Sequence, residues 1–120
     1  MIQRVLAALP QFGYRFNDEY QLQDGLAKVL ESFRIPFERE VSLSPKDRLD
    51  FLCGGTLAIE VKVDGSYAAA LRQVDRYLAH ETVHAAVIVT SRFWAAQSGS
   101  IVETLHGKPV AMLRVGRVVF

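Results

Sequence analysis

The stretch Leu49–Val63, which reads LDFLCGGTLAIEVKV, decides the fold of this chain. It is mostly apolar and carries a glycine pair near its middle, so it predicts two buried strands joined by a tight turn. Three charged side chains interrupt it: Asp50, Glu60 and Lys62. Because alternate side chains of a strand share a face, Glu60 and Lys62 lie together, opposite the apolar face of their strand.

The length of the turn decides whether Asp50 meets Glu60. A two-residue loop of Gly54 and Gly55 places Asp50 opposite Ile59, on the apolar side. A three-residue loop, or a bulge, places Asp50 directly opposite Glu60. The burial pattern favours the second register, because it keeps the aspartate out of the core.

Two carboxylates opposite each other in an antiparallel pair repel, and one of them takes up a proton unless a cation compensates. A hard divalent cation such as Mg²⁺ prefers oxygen ligands and removes the conflict. Lys62 reaches the same face, where it can bind a water or a phosphate oxygen. Such a set suits hydrolysis of a phosphodiester. The alternative interpretation is a solvated sheet face on which Lys62 forms an ion pair with Glu60 or Asp50.

The rest of the sequence predicts helices and strands in α/β order. Apolar residues recur at three- and four-residue spacing in two segments, which is typical of helices with one buried face. The apolar run at 85–91 follows the second of them and predicts a buried strand that arrives by a helical crossover, parallel to a neighbour. The predicted helices are 2–9, 18–34 and 66–80, the further strands 37–43 and 85–91, followed by a helical turn near 93–97, an element near 100–105 and a last strand within 109–120.

Composition limits the classes of protein that fit. The 120 residues are 50% hydrophobic and 22% charged, which indicates one globular domain. The formal net charge of +1 means that a basic surface for nucleic acid is local. One cysteine excludes an internal disulfide. No apolar run approaches the length of a membrane span and the first ten residues do not resemble a signal peptide, so we expect a cytoplasmic protein without membrane contact.

These residues resemble the PD-(D/E)XK nuclease superfamily. Leu49-Asp50 corresponds to the first half of the family motif, with leucine where proline is common, and Glu60-Val61-Lys62 corresponds to the second half. The predicted element order over about 18–91 is similar to the family core. The resemblance therefore implies a restriction-endonuclease-like α/β fold, α-β-β-β-α-β, with a central mixed sheet flanked by helices, in a single domain that spans 1–120.

Two positions on the predicted helices add to the resemblance. Glu19 lies near the start of the first long helix, where many members carry an acidic residue that completes the metal site. Gln73 and Tyr77 have the Q-x-x-x-Y spacing of the RecB-like branch, which is similar to small Holliday-junction-resolvase-like domains. Residues four apart project from one face of a helix, so both side chains point the same way.

The resemblance implies a role for each matching residue. Asp50, Glu60 and the backbone carbonyl of Val61 are the expected ligands of Mg²⁺ or Mn²⁺, with Glu19 assisting. Lys62 is expected to orient the attacking water.

The resemblance places Gln73 at the edge of the active site and lets Tyr77 either contact nucleic acid or simply pack. Three arginines, Arg48, Arg72 and Arg76, are candidates for a phosphate track near the site. The alternative for these arginines is an ordinary scatter of surface charge.

The expected function is therefore metal-dependent hydrolysis of nucleic acid, foremost as a DNA endonuclease. The alternative is a catalytically silent module on the same fold that binds nucleic acid or a protein partner within a larger complex. The small size and near-neutral charge favour a homodimer or a larger nuclease complex.

Overall fold

The computed structural model describes residues 1–92 and 99–118, which form three α-helices and six strands. In chain order these are α1 Ile2–Ala8, a 3₁₀ turn Leu9–Gln11, α2 Glu19–Ser32, β1 Phe37–Ser42, β2 Arg48–Cys53, β3 Leu57–Lys62, α3 Tyr67–Leu78, β4 Ala85–Thr90, β5 Ser100–Leu105 and β6 Lys108–Arg114.

The six strands form one mixed sheet in the order β1-β2-β3-β4-β6-β5. β1, β2 and β3 are antiparallel neighbours, whereas β3, β4 and β6 run parallel. The connection from β3 to β4 passes through α3, as a parallel pair requires. The predicted α/β class, with a mixed sheet and a helical crossover to β4, is confirmed.

Two polar side chains cap the N-termini of the long helices. The Asp18 carboxylate accepts a hydrogen bond from the N–H of Gln21 at 2.8 Å. The Ser66 hydroxyl accepts one from the N–H of Ala69 at 3.1 Å. Each side chain satisfies a backbone donor that has no partner within its helix. The predicted helices at 18–34 and 66–80 are confirmed to within two residues at each end.

Helices cover both faces of the sheet. α1 and α2 pack on one face, in a first core cluster that includes Leu26 and Ile59. α3 packs on the other face, in a second core cluster that includes Val74 and Ile88. β3 lies in the middle of the sheet, and all but its last residue are buried, so any charge on it lies in the interior.

Alternation along the predicted strand 37–43 would place Phe37, Val41 and Leu43 on one face, but this expectation is wrong beyond the middle of β1. Phe37 packs in the first cluster, but Val41 and Leu43 pack in the second. Glu40, between them, has a φ of 53°, in the left-handed region. A non-glycine residue rarely adopts that conformation, and here it redirects the following residues of the strand to the other face.

Two predictions concern the last third of the chain. β5 and β6 confirm the element near 100–105 and the last strand, which ends at Arg114. The helical turn expected near 93–97 lies outside the described residues. None of the described helices is both long and apolar enough to cross a bilayer.

Candidate active site

The hairpin between β2 and β3 has the three-residue loop that brings Asp50 toward Glu60. Cys53 pairs with Leu57 in the observed register. Gly54 and Gly55 have φ values of 58° and 75°. Both glycines therefore adopt a conformation that a side chain disfavours, which explains why two glycines occur together here.

The two strands separate directly after this short ladder. Their last pair is Phe51 with Ile59, and the same register would next join Leu49 to Val61 through backbone hydrogen bonds. Instead, the carboxylate of Asp50 accepts the hydrogen bond from the Val61 N–H at 2.7 Å. Leu49 packs in the second core cluster. A side chain thus replaces a backbone acceptor at the point where the sheet opens.

Glu60 lies beside this opening and is almost fully buried, with a relative exposure of 2%. Its Oε2 lies 3.3 Å from the Nζ of Lys62, whose side chain is a quarter exposed. The carboxyls of Asp50 and Glu60 lie close enough to interact electrostatically. The ion pair of the alternative interpretation is present, but the burial of Glu60 excludes a solvated face.

Burial and mutual repulsion change the acidity of both carboxyls. Burial, followed by the charge of Asp50, raises the pKa of Glu60 to about 8, although Lys62 lowers it. Burial also raises the pKa of Asp50, while the Val61 N–H lowers it. At neutral pH the pair therefore holds a proton between its two carboxyls. A divalent cation can take the place of that proton, so the donor set fits a metal.

The carbonyl of Val61 faces the same opening. The N–H and C=O of one strand residue point toward the same neighbouring strand. Since the Val61 N–H bonds to Asp50, the Val61 carbonyl also points to the β2 side, where the ladder has ended. A carbonyl oxygen that faces this opening next to two carboxyls is a suitable third ligand for Mg²⁺.

Tyr77 ties α3 to this site. Its hydroxyl lies 3.2 Å from Glu60 Oε1 and 2.9 Å from the carbonyl of Arg48, and it accepts a hydrogen bond from Gln73 Nε2 at 2.7 Å. Tyr77 is 1% exposed, so in this structure it packs, which is one of its two expected roles, and its contact with nucleic acid stays a prediction. The Q-x-x-x-Y spacing predicted that Gln73 and Tyr77 would share a helix face, but the bond to Glu60 had no sequence signal of its own.

The side chain of Glu19, at the start of α2, reaches the end of β3 and is not part of the carboxyl pair. Its Oε1 accepts a hydrogen bond from the N–H of Val63 at 3.2 Å, one residue after Lys62. Within residues 1–92 and 99–118, no group of three or more His, Cys, Asp or Glu side chains converges as a metal-ligand set. The oxygen atoms at the opening are therefore those of two carboxyls and a carbonyl, and Glu19 binds the backbone nearby.

Two of the three arginines proposed as a phosphate track are engaged in ion pairs. Arg48 lies 3.0 Å from Glu40, and Arg76 lies 3.0 Å from Asp47. Arg72 is exposed on α3. Only Arg72 of the three is therefore placed to meet a phosphate without first giving up an ion pair to a described residue.

Glu40 is the acidic residue near the site that the sequence did not single out as a ligand. The register of β1 and β2 places it opposite Asp50, and its charge contributes to the raised pKa of Asp50. Its side chain is half exposed and paired with Arg48, so it acts on the site through its charge.

No family model matches the chain, and no curated protein or solved structure is significantly similar to it.

Proposed function

We propose that the chain is a metal-dependent nuclease with a restriction-endonuclease-like fold, foremost a DNA endonuclease. The observation that carries the proposal is the meeting of Asp50, Glu60 and Lys62 at the opening between β2 and β3. A buried pair of carboxyls destabilises a fold. Acids perturbed in this way are concentrated at functional sites, where they serve the chemistry.

Asp50, Glu60 and the carbonyl of Val61 would hold the cation. When bound, Mg²⁺ or Mn²⁺ supplies Lewis-acid stabilisation of the phosphoryl oxygens and lowers the pKa of bound water. At neutral pH the singly protonated carboxyl pair and Lys62 together carry no net charge, and a divalent cation that displaces the proton gives the site one net positive charge. The site with its cation would then attract a phosphodiester.

Lys62 would orient the attacking water. Its ammonium group lies 3.3 Å from Glu60, which keeps it directed at the metal ligands, and its partial exposure leaves donors for a water or a phosphate oxygen. Glu19 fixes the backbone at Val63 and thereby the end of the strand that carries Lys62. Gln73 and Tyr77 hold the Glu60 carboxyl from the side of α3.

Cleavage assays test the proposal. Supercoiled plasmid, branched DNA, single-stranded DNA and RNA are incubated with the protein and Mg²⁺, and in parallel with EDTA. We expect cleavage of at least one substrate with Mg²⁺ alone, and a loss of at least about 100-fold in rate, about 2.7 kcal/mol, for Lys62→Ala. The matched control is Lys28→Ala, an exposed lysine on α2.

Two results contradict the proposal. One is the absence of cleavage of all four substrates. The other is a Lys62→Ala variant that cleaves at the rate of the wild type. The first would favour the alternative of a silent module that binds nucleic acid or a protein partner.

A further inference from the structure

A polar cavity lies where the three parallel strands end. Its volume is about 620 Å³, and it is lined by residues that directly follow β3, β4 and β6 or end them. Asp64 follows β3, Arg92 follows β4, Arg114 ends β6 and Arg117 follows it. The carboxyl ends of parallel strands are the usual place for a ligand in an open α/β sheet.

The charged groups around this arginine cavity are mostly basic. Arg92, Arg114 and Arg117 are exposed, and Asp64 is the acidic residue among the lining side chains. Arg117 is held in place, because its Nη2 donates to Asn17 at 2.9 Å and its guanidinium lies over an aromatic ring. Because the formal net charge of the whole chain is only +1, any attraction for an anion has to come from a local concentration of basic residues such as this one.

The cavity begins where the candidate active site ends. Val63 lines the cavity, directly follows Lys62, and donates its backbone N–H to Glu19. Asp64 is two residues beyond Lys62, which is at most about 7 Å along an extended chain. A strand held at Lys62 would therefore pass the cavity with phosphates close to the scissile one.

We propose that the arginine cavity binds the phosphate backbone of the nucleic-acid strand whose scissile phosphate lies at Asp50, Glu60 and Lys62, at phosphates close to the scissile one. The inference rests on the proposed function and adds a substrate contact to it. Arginine forks bind phosphate oxygens in a bidentate manner, and such contacts position a strand without reading its sequence. The site would thus hold its substrate by the backbone, on the β6 side of the active site.

Binding measurements separate this inference from catalysis. The protein carries Asp50→Asn throughout, so that the probe stays intact. The test variant adds Arg92→Gln and Arg114→Gln. The control variant adds Arg4→Gln and Arg34→Gln, which remove the same charge at the C-terminal end of α2, where Arg4 reaches the carbonyl of Arg34.

Fluorescence anisotropy follows the binding of labelled single-stranded and duplex DNA from about 50 to about 200 mM salt. For each phosphate that the substituted arginines no longer neutralise, we expect the slope of log K against log salt to fall by about 0.7 with single strands and by about 0.9 with duplex. The control should retain the parent slope. A test variant with the slope of the control, or a parent protein that binds neither probe, overturns the inference.

The two proposals fail separately. Cleavage by the wild-type protein, together with an unchanged slope in the test variant, removes the arginine cavity and leaves the nuclease. A reduced slope without any cleavage leaves a nucleic-acid-binding cavity on a chain that does not cut.

Discussion

The carboxylate of Asp50 accepts the backbone N–H of Val61 at 2.7 Å, where an antiparallel ladder would offer the carbonyl of Leu49. The aspartate therefore has two roles: it closes the sheet at its opening, and it presents a charge to Glu60. Substitutions that keep the acceptor but remove the charge separate these roles.

We expect Asp50→Asn to retain the fold and lose activity. The amide oxygen still accepts from Val61, so the free energy of unfolding should stay within about 1 kcal/mol of the wild type. Asp50→Ala leaves the Val61 N–H unsatisfied and should cost about 1–3 kcal/mol. Urea denaturation measures both, and cleavage should fall at least about 100-fold in each, about 2.7 kcal/mol.

Asp24→Asn is the control for Asp50→Asn, because Asp24 is a half-exposed ion-pair partner of Arg39 on α2. It should leave the cleavage rate unchanged. Full activity in Asp50→Asn would contradict the assignment of Asp50 as a metal ligand.

The metal-free protein should lose stability as the pH rises. Glu60 has a pKa of about 8 in the folded protein against 4.5 ordinarily, so the folded state binds more protons than the unfolded chain between these values. The free energy of unfolding then falls as the pH rises from about 4.5 to above 8. We expect a loss on the order of 2–4 kcal/mol, measured by urea denaturation in EDTA at about pH 5 and about pH 9.

Glu60→Gln is the control for the pH dependence, because glutamine keeps the shape without the titration. Its free energy of unfolding should fall less over the same range. Mg²⁺ should restore part of the stability of the wild type above pH 8, since it binds the folded, deprotonated pair. The same pH dependence in Glu60→Gln and wild type would rule out Glu60 as its source.

The loop Gly54–Thr56 should set the register on which the site depends. Deletion of Gly55 shortens the loop to two residues, which turns Asp50 toward Ile59 and should abolish divalent-ion binding and cleavage. Gly55→Asn keeps the loop length, and asparagine tolerates the observed φ of 75°. Calorimetric titration with Mn²⁺ should therefore detect binding in Gly55→Asn and none in the deletion. Equal binding by both would contradict the role of the register.

The register between β2 and β3 was predictable from the sequence, because a loop shorter by one residue would have placed Asp50 in the core. The alternation of β3 likewise placed Glu60 and Lys62 on one face. The three- and four-residue spacing of apolar residues also predicted the two long helices.

The features that were not predictable depend on contacts between distant segments. The left-handed φ of Glu40 has no local signal, since glutamate does not favour that conformation. The burial of Tyr77 and its bond to Glu60 follow from how α3 packs on the sheet. The arginine cavity collects residues from the ends of three strands, which sequence order does not bring together.

Tyr77→Phe should reveal how far α3 supports the site. The change removes the hydroxyl that contacts the carbonyl of Arg48, Gln73 and Glu60, and it leaves these groups without that partner. We expect a loss of about 1–3 kcal/mol in the free energy of unfolding, measured by urea denaturation. Tyr20→Phe, on an exposed tyrosine of α2, is the matched control and should be neutral. A neutral Tyr77→Phe would contradict the hydrogen-bonded role of its hydroxyl.

A crystal structure of the wild-type protein soaked with Mn²⁺ tests the metal site most directly, since the anomalous signal locates the ion. We predict one Mn²⁺ at the opening between β2 and β3, bound by the carboxylates of Asp50 and Glu60 and the carbonyl of Val61. A saturated crystal with no ion between these two carboxyls would contradict the account.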